Sequence, residues 1–415
     1  MRDLIVGLDL GTYAFRMVAA RPDPASPDGI EILGAASVPA RGVRRGVVVS
    51  LDDVIKAIGT LRRELERRIG SPIDEAVVGI GGPGVTSVIS KGLVVVSRAD
   101  NRIGGDDIQR VLEAAGAVTL PNNSAVLDVL PREFFVDGEG GIKNAEGMQG
   151  RRLEAEAVVL AVQEPYLKNI RHVLHGSELD PRRMILNAVA TAKATLASRP
   201  RELGVALIDI GHGTTDLAIF EEGDLLAVSV IPVGGGHITN DIAIGMRCSI
   251  DAAERAKHEH GTANPEMITK RETIELGVLD PTQEGTTFSR RELSEIIEAR
   301  LEEIFELVGS ELRTFERWRL LPAGIVLTGG TANLPGVVDV ARRAFSLPVQ
   351  LGYPVVAEGP DNVTSRFDYT TALGLTMLAA EGAGRRKNRR KMGIPAMPSL
   401  PSGDRFRKLF KSLLP

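Results

Sequence analysis

The sequence predicts an α/β protein made of two duplicated halves facing each other across a cleft, with a unit inserted into each half and an amphipathic helix at the C-terminus. Three observations carry that prediction. A strand, a glycine turn and a second strand occur twice, about two hundred residues apart, the mark of an internal duplication. A third glycine turn, Gly329-Gly330, follows a short apolar run that reads as a buried strand. The chain beyond Ala383 differs from the rest in charge and composition.

Composition narrows the class. At 415 residues the chain exceeds one ordinary domain, and 43% hydrophobic with 25% charged residues is a globular balance. Cys248 is the only cysteine, which excludes a disulfide scaffold or a zinc site of two or more thiolates and fits a reducing compartment. No apolar run approaches the roughly 18 residues that a bilayer span needs. Acids interrupt the N-terminus before a signal-peptide core could form, so the expected protein is neither secreted nor membrane-spanning. From Ala383 onward ten basic residues face one acid, Asp404, which leaves a net −13 on residues 1–382. The tail alone is therefore suited to an anionic surface, while the body would repel one.

The elements follow in order. Leu4 to Thr12 is a strand ending in Asp9-Leu10-Gly11-Thr12, and Phe15 to Ala20 is its partner. Within 52–69, Val54, Ile58, Leu61, Leu65 and Ile69 fall at helical spacing, a helix that covers the first sheet. Gly79-Ile80-Gly81-Gly82-Pro83-Gly84 fits a dinucleotide-binding pattern. Pro83 and the β-rich Val85 to Ser90 stand where that motif needs a helix, so the segment reads as a domain junction. An insert of about 84–161 follows, with a strand at Gly92 to Ser97, a helix near 106–115 and a loop over 138–150.

Val205 to Phe220 repeats the opening pattern: Asp209-Ile210-Gly211 ends an apolar strand, Gly213-Thr214-Thr215 turns the chain, and a second strand returns. From about Met246 to Pro322 runs a second, largely helical insert. Its longest segment places Leu293, Ile297, Leu301, Ile304, Val308, Leu312 and Phe315 on one core-facing stripe. Gly324 to Thr328 then feeds the third glycine turn and a helix over about 337–344.

The segment 383–403 is basic, then rich in Pro, Ser and Gly, and reads as a flexible linker. Beyond it Asp404 caps a short helix in which Phe406, Leu409, Phe410, Leu413 and Leu414 form one apolar stripe, flanked by Arg405, Arg407, Lys408 and Lys411. Such a helix is marginal in water until its stripe is covered. Anionic lipid suits both stripe and flanks, whereas five large apolar residues have no role on nucleic-acid phosphates.

The paired turns suit phosphate. Glycine lets the backbone approach phosphate oxygens and threonine adds donors, which makes Gly11, Thr12, Gly213, Thr214 and Thr215 candidates. Asp9 and Asp209, at the strand ends, are placed to hold Mg²⁺ through its waters. Gly329 and Gly330 expose backbone that can pack on adenine or ribose. Glu254 and Lys257 share one helical face, where by themselves they read as an ion pair as readily as a binding pair.

The three turns, in this order and spacing, resemble the actin/Hsp70/sugar-kinase superfamily. Gly46 to Val49, Asn144 to Glu154, Gly234 to Ala243, Ala253 to Lys257 and the tail are closer still to the FtsA family of bacterial cell-division proteins, over nearly the whole chain. The resemblance implies an actin-like two-domain fold of duplicated ribonuclease-H-like halves. Residues 1–83 and 162–203 would be subdomain 1A, 84–161 an inserted 1C, 204–245 and 323–382 subdomain 2A, 246–322 subdomain 2B, and 404–415 the membrane-targeting helix. It implies ATP with Mg²⁺ in the cleft, Tyr13 and Gly235 beside the phosphate residues, and Glu254 and Lys257 on ribose and adenine. It further implies self-association into filaments and attachment to the cytoplasmic face of the inner membrane at the division site. Subdomain 2B would bind the C-terminal peptide of the tubulin-like FtsZ, with Arg300 as a contact, and 1C would meet other division proteins.

Two departures stand out. Asn187 occupies the place where relatives put a water-orienting Gln or Glu, so hydrolysis is expected to be slow or absent. His212 replaces a usual Gly in D-x-G-x-G-T-T-D and would strain the loop if φ were positive there. The alternatives are a PilM-like pilus-assembly adaptor and a small-molecule kinase of the same superfamily; neither explains the tail, and no pair of catalytic carboxylates supports the kinase.

Overall fold

Two five-stranded sheets with the same strand order account for most of the core. The first runs Asp180–Leu186, Glu75–Ile80, Ile5–Leu10, Ala14–Pro22, Ile30–Pro39; the second runs Val349–Leu351, Ile325–Thr328, Val205–Ile210, Thr215–Glu221, Asp224–Ile231. In each, three strands form an antiparallel meander whose first strand pairs in parallel with the next element, Gly7 with Val77 in one sheet and Leu207 with Val326 in the other. Central strands buried on both faces need continuous apolar runs, which Ile5–Leu10 and Val205–Ile210 supply around a single Asp each. The computed structural model describes residues 4–26, 29–315, 320–355, 363 and 366–391, with side chains as far as Glu381.

These sheets belong to one compact unit, Met1–Val85 with Lys168–Leu378. Helix Leu51–Ile69 covers the first sheet with Val54, Ile58, Leu61 and Leu65 fully buried, and stops at Gly70, whose φ of 67° is the left-handed cap a glycine accepts without cost. Helix Arg290–Thr314 serves the second half. Ser289 caps it by accepting the Glu292 N–H at 3.3 Å, and the predicted stripe from Leu293 to Leu312 is buried. Phe305 on this helix meets Phe345 edge-on with ring centroids 5.4 Å apart. The region 246–322 also contains a two-stranded ribbon, Thr273–Glu275 with Thr287–Ser289, beside its helices.

The second unit comprises Thr86–Leu167 and the described residues from Ala379. Its antiparallel sheet has the order Thr86–Val95, Arg152–Gln163, Ser124–Val136, Glu139–Ile142. Helix Gly105–Gly116 lies across it, over a core of Ile103, Val111, Phe134 and Leu153. Gly92 is where the helix backbone passes, since a Cβ there would collide with the Val111 carbonyl. The expected loop over 138–150 begins instead with strand Glu139–Ile142, paired to the preceding strand through Phe134 and Val136.

The last helix runs Thr370–Lys391, so the linker expected from residue 383 is helical over its first nine residues. Arg and Lys are good helix formers and can prolong a helix already nucleated in the core. The rest of that linker and the amphipathic segment 404–415 lie outside the described residues.

Candidate functional site

The tips of the two hairpins meet. Gly213 sits so close to Thr12 that a Cβ on it would come within 2.7 Å of the Thr12 methyl, and the Thr12 hydroxyl accepts the Gly46 N–H at 3.2 Å. A cavity of about 780 Å³ opens at this junction. Gly11, Thr12, Tyr13, Thr214 and Gly235 line it, as do Gly329 and Gly330 on another wall and Glu254 and Lys257 on a third. Gly213 serves the close approach of the turns. Thr215, expected among the phosphate donors, is fully buried and donates its hydroxyl to the Val233 carbonyl at 2.8 Å. Side chains alternate along a strand, so with Asp216 of strand Thr215–Glu221 toward the cavity, Thr215 before it must point the other way, into the core.

Strand register sets the charge of the cavity floor. In the first hairpin Asp9 stands opposite Arg16; at the equivalent place in the second, Asp209 stands opposite Asp216. All four line the cavity. Burial pushes Asp9 up to about 7, against the pull of Arg16 and with a further push from Asp209. Burial likewise raises Asp209 to about 6, although Thr191 donates to its Oδ2 at 3.0 Å and Arg16 is near. Asp216 rises well above the usual carboxylate range through burial and through Asp209 and Asp9, and its Oδ1 has no hydrogen-bond partner. Arg16 also pairs with Asp368 at 3.5 Å. Neither Arg16 nor Asp216 was singled out from sequence; the signal was the duplication itself, because they occupy matching places in the two hairpins.

Gly329, at φ 88°, ends strand Ile325–Thr328 directly beside Asp209, where any Cβ would strike the carboxyl and the Ile210 carbonyl. On the opposite wall Lys257 spends its donors on Glu254 Oε2 (2.7 Å), Thr239 Oγ1 (2.7 Å) and the Gly235 carbonyl (3.3 Å). Thr239 also donates to Glu254, and His258 bonds its other oxygen at 3.1 Å. Burial alone would raise Glu254, but the His258 bond and the Lys257 ammonium hold it down at about 2. The pair therefore presents a fixed, ionised carboxylate to the cavity, with Lys257 as its clamp.

Comparison with known proteins gives this geometry a lineage. The family described as "Cell division protein FtsA" matches residues 206–374, and "SHS2 domain inserted in FTSA" matches residues 82–161. The cell division protein FtsA of Pseudomonas aeruginosa is 37% identical over 90% of this chain and 88% of its own length, and that of Bacillus subtilis 35% identical over 94% and 86%. The chain belongs to the FtsA family. Its fold is the actin-like one: a chain of the PilM–PilN type IV pilus biogenesis complex superposes with TM-score 0.63 at 17% identity, over 91% of this chain and 98% of that one. MreB5 of Spiroplasma citri bound to ADP superposes with TM-score 0.54 at 14% identity, over 93% and 98%. The pilus protein thus shares the architecture at low identity, while the sequence resemblance is to FtsA.

Three further expectations for this FtsA-family chain meet the structure here. Asn187 begins helix Asn187–Thr195 at the cavity, its amide lying over Gly79 and Gly81, with Oδ1 unpartnered. The glycines of the rejected dinucleotide pattern thus make room for this side chain. His212 is not among the residues with positive φ, so the condition under which it would strain the loop is not met. Arg300 forms a two-pronged pair with Asp241, one prong at 3.0 Å, and reaches Glu303 at 2.6 Å, so an incoming carboxylate would have to compete with these partners. Among the described residues no three His, Cys, Asp or Glu form a metal cage. Mg²⁺ needs none, since it is commonly held by one or two carboxylates, water and phosphate, and the orphaned Asp216 Oδ1 and the raised Asp9 and Asp209 are the uncompensated charge such a cation would relieve.

Proposed function

We propose that this chain is an ATP-binding, actin-like division protein that assembles on the inner face of the bacterial membrane, tethers FtsZ filaments there and helps recruit later division proteins. The observation that carries the nucleotide part is the cavity, where matched Gly/Thr turns, a floor of uncompensated carboxyls and the glycine wall at Gly329 and Gly330 converge. Gly11, Thr12, Gly213 and Thr214 present backbone and hydroxyl donors to phosphate, Asp9 and Asp209 hold the hydrated Mg²⁺, and Glu254 takes the ribose beside Gly330. Mg²⁺, when bound, screens the phosphate charge. MreB5, of the same fold, was solved with ADP, which supports the reading.

Membership of the FtsA family supports self-association, FtsZ binding through the region 246–322 and a place at the division site. No helix among the described residues is long and apolar enough to cross a membrane, so the proposed attachment is peripheral, through residues 404–414. Arg300 enters the FtsZ contact by exchanging Asp241 for a carboxylate of the acidic peptide.

Electron microscopy on anionic lipid monolayers tests the whole reading. Filaments should form with ATP on the full chain and be lost when the last thirteen residues are removed; lipid binding by the shortened chain, or assembly indifferent to nucleotide, would overturn it. Calorimetry tests the cleft: Gly330→Trp should obstruct ATP, and Asp209→Ala should abolish the Mg²⁺-dependent part of its affinity.

A further inference from the structure

His212 lines the cavity, yet none of the phosphate, metal or ribose contacts assigned to the cleft uses its side chain. Its ring is seated by two neighbours. A Cβ on Gly236 would fall 2.6 Å from Nε2, so the imidazole rests against bare glycine backbone at the start of helix Gly235–Met246. On another side it meets Tyr13 of the first hairpin, centroids 5.3 Å apart and planes tilted by 46°. After burial, which holds the imidazole below its usual range, Glu254 is the strongest influence on it, followed by Lys257. The ring is therefore neutral near pH 7, with one nitrogen a donor and the other an acceptor. Neither has a hydrogen-bond partner among the described residues. Lys257, in contrast, has all three donors engaged.

We propose that His212 reads the sugar of the bound nucleotide, its ring nitrogen hydrogen-bonding a ribose hydroxyl beside Glu254, so that the cleft prefers ribonucleotides to their deoxy analogues. The inference rests on the nucleotide reading of the cleft. Ribose offers two adjacent hydroxyls, each able to donate and accept. Glu254, held ionised, can only accept, and so serves one of them well. A neutral imidazole next to it completes the pair with a group of either sense. A site built to bond a hydroxyl rejects the analogue that lacks it, because its own polar group is then left unpaired. A residue larger than Gly236 would unseat the ring.

The test is calorimetry on the full chain with ATP, 2′-deoxy-ATP and 3′-deoxy-ATP in Mg²⁺, for the wild type, His212→Gly, His212→Gln and Gly236→Ala. The wild type should bind ATP about five- to tenfold more tightly than at least one deoxy analogue. His212→Gly should bind that analogue as the wild type does while losing the preference, and His212→Gln, whose amide donates and accepts, should keep part of it. Gly236→Ala should match His212→Gly, with no further loss in the double variant. Equal weakening of ATP and deoxy-ATP in His212→Gly would show that His212 only shapes the loop and would overturn the proposal, as would an undiminished preference. Equal wild-type affinity for all three nucleotides overturns it while leaving the nucleotide reading intact; no binding of any of them overturns that reading as well.

Discussion

Asp9 shows how much a single residue's surroundings decide. Its carboxyl titrates near 7 when folded against an ordinary value of 3.8, so between those limits the folded state holds a proton that the unfolded chain has lost. Stability from this group is therefore greatest at acid pH and falls as pH rises toward 7, by at most about 1.4 kcal/mol per pH unit in that window. His212 and His237, held low by burial, act in the opposite sense below their usual 6.5. The difference between wild type and Asp9→Asn isolates the effect: in urea melts without Mg²⁺ the variant should gain on the wild type steadily from pH 4.5 to 7, and a constant difference would refute it. At Gly329 the constraint is steric, and Gly329→Ala should cost about 2 kcal/mol or more through its positive φ and the collision with Asp209. Asn187 has an unpartnered oxygen at the cavity but is no base, so turnover of ATP should stay well below about 1 s⁻¹ in a coupled phosphate-release assay.

Among the elements, helix Arg290–Thr314 was legible because its stripe obeys one period over its whole length, and the same residues are those the core buries. Leu301→Ala, at a fully buried position on it, should lower stability by about 2–5 kcal/mol in a denaturant titration. Other elements depend on a single polar group that no pattern flags. Asp107, 1% exposed, accepts N–H bonds from Gly104 (2.9 Å) and Ser97 (3.2 Å), the Ser97 hydroxyl (3.1 Å) and the Arg110 guanidinium, which together outweigh burial and hold its carboxyl low. Asp107→Ala should loosen the unit built on Thr86–Leu167 by at least about 2 kcal/mol, read as faster amide exchange in helix Gly105–Gly116. Retained protection there would show that the carboxylate is dispensable.

At the scale of the whole molecule, the two halves have matching sheets, yet the duplicated hairpins have diverged in charge, with Arg16 in one and Asp216 in the other. One half thus sets a guanidinium opposite its Asp, while the other sets a second carboxyl whose charge burial and its neighbours disfavour, an asymmetry suited to a ligand that brings both phosphate and metal. The acidic body, net −13 over residues 1–382, would repel an anionic surface, so the proposed membrane attachment falls to the basic tail. Phe406→Glu with Phe410→Glu should release the protein from anionic liposomes and leave ATP affinity unchanged; continued co-sedimentation would remove the tail as anchor.

The duplication, the third glycine turn, the helical stripes and the family could all be read before folding, because each is written in local order: a period, a turn residue, a motif repeated at a fixed distance. Where side chains end up once separate segments meet is set by the folded chain. Thr214 and Thr215 are neighbours with the same hydroxyl, but Thr214 in the turn lines the cavity while Thr215, first in its strand, bonds the Val233 carbonyl. Gly79 and Gly81 looked like a nucleotide motif and turned out to be the space that Asn187 fills from about a hundred residues away. Lys257 matched a binding position, and the fold instead saturates its ammonium with Glu254, Thr239 and Gly235. Hydrogen bonds and close approaches of this kind depend on distances between residues far apart in the chain, and those distances exist only after the two halves have folded against each other.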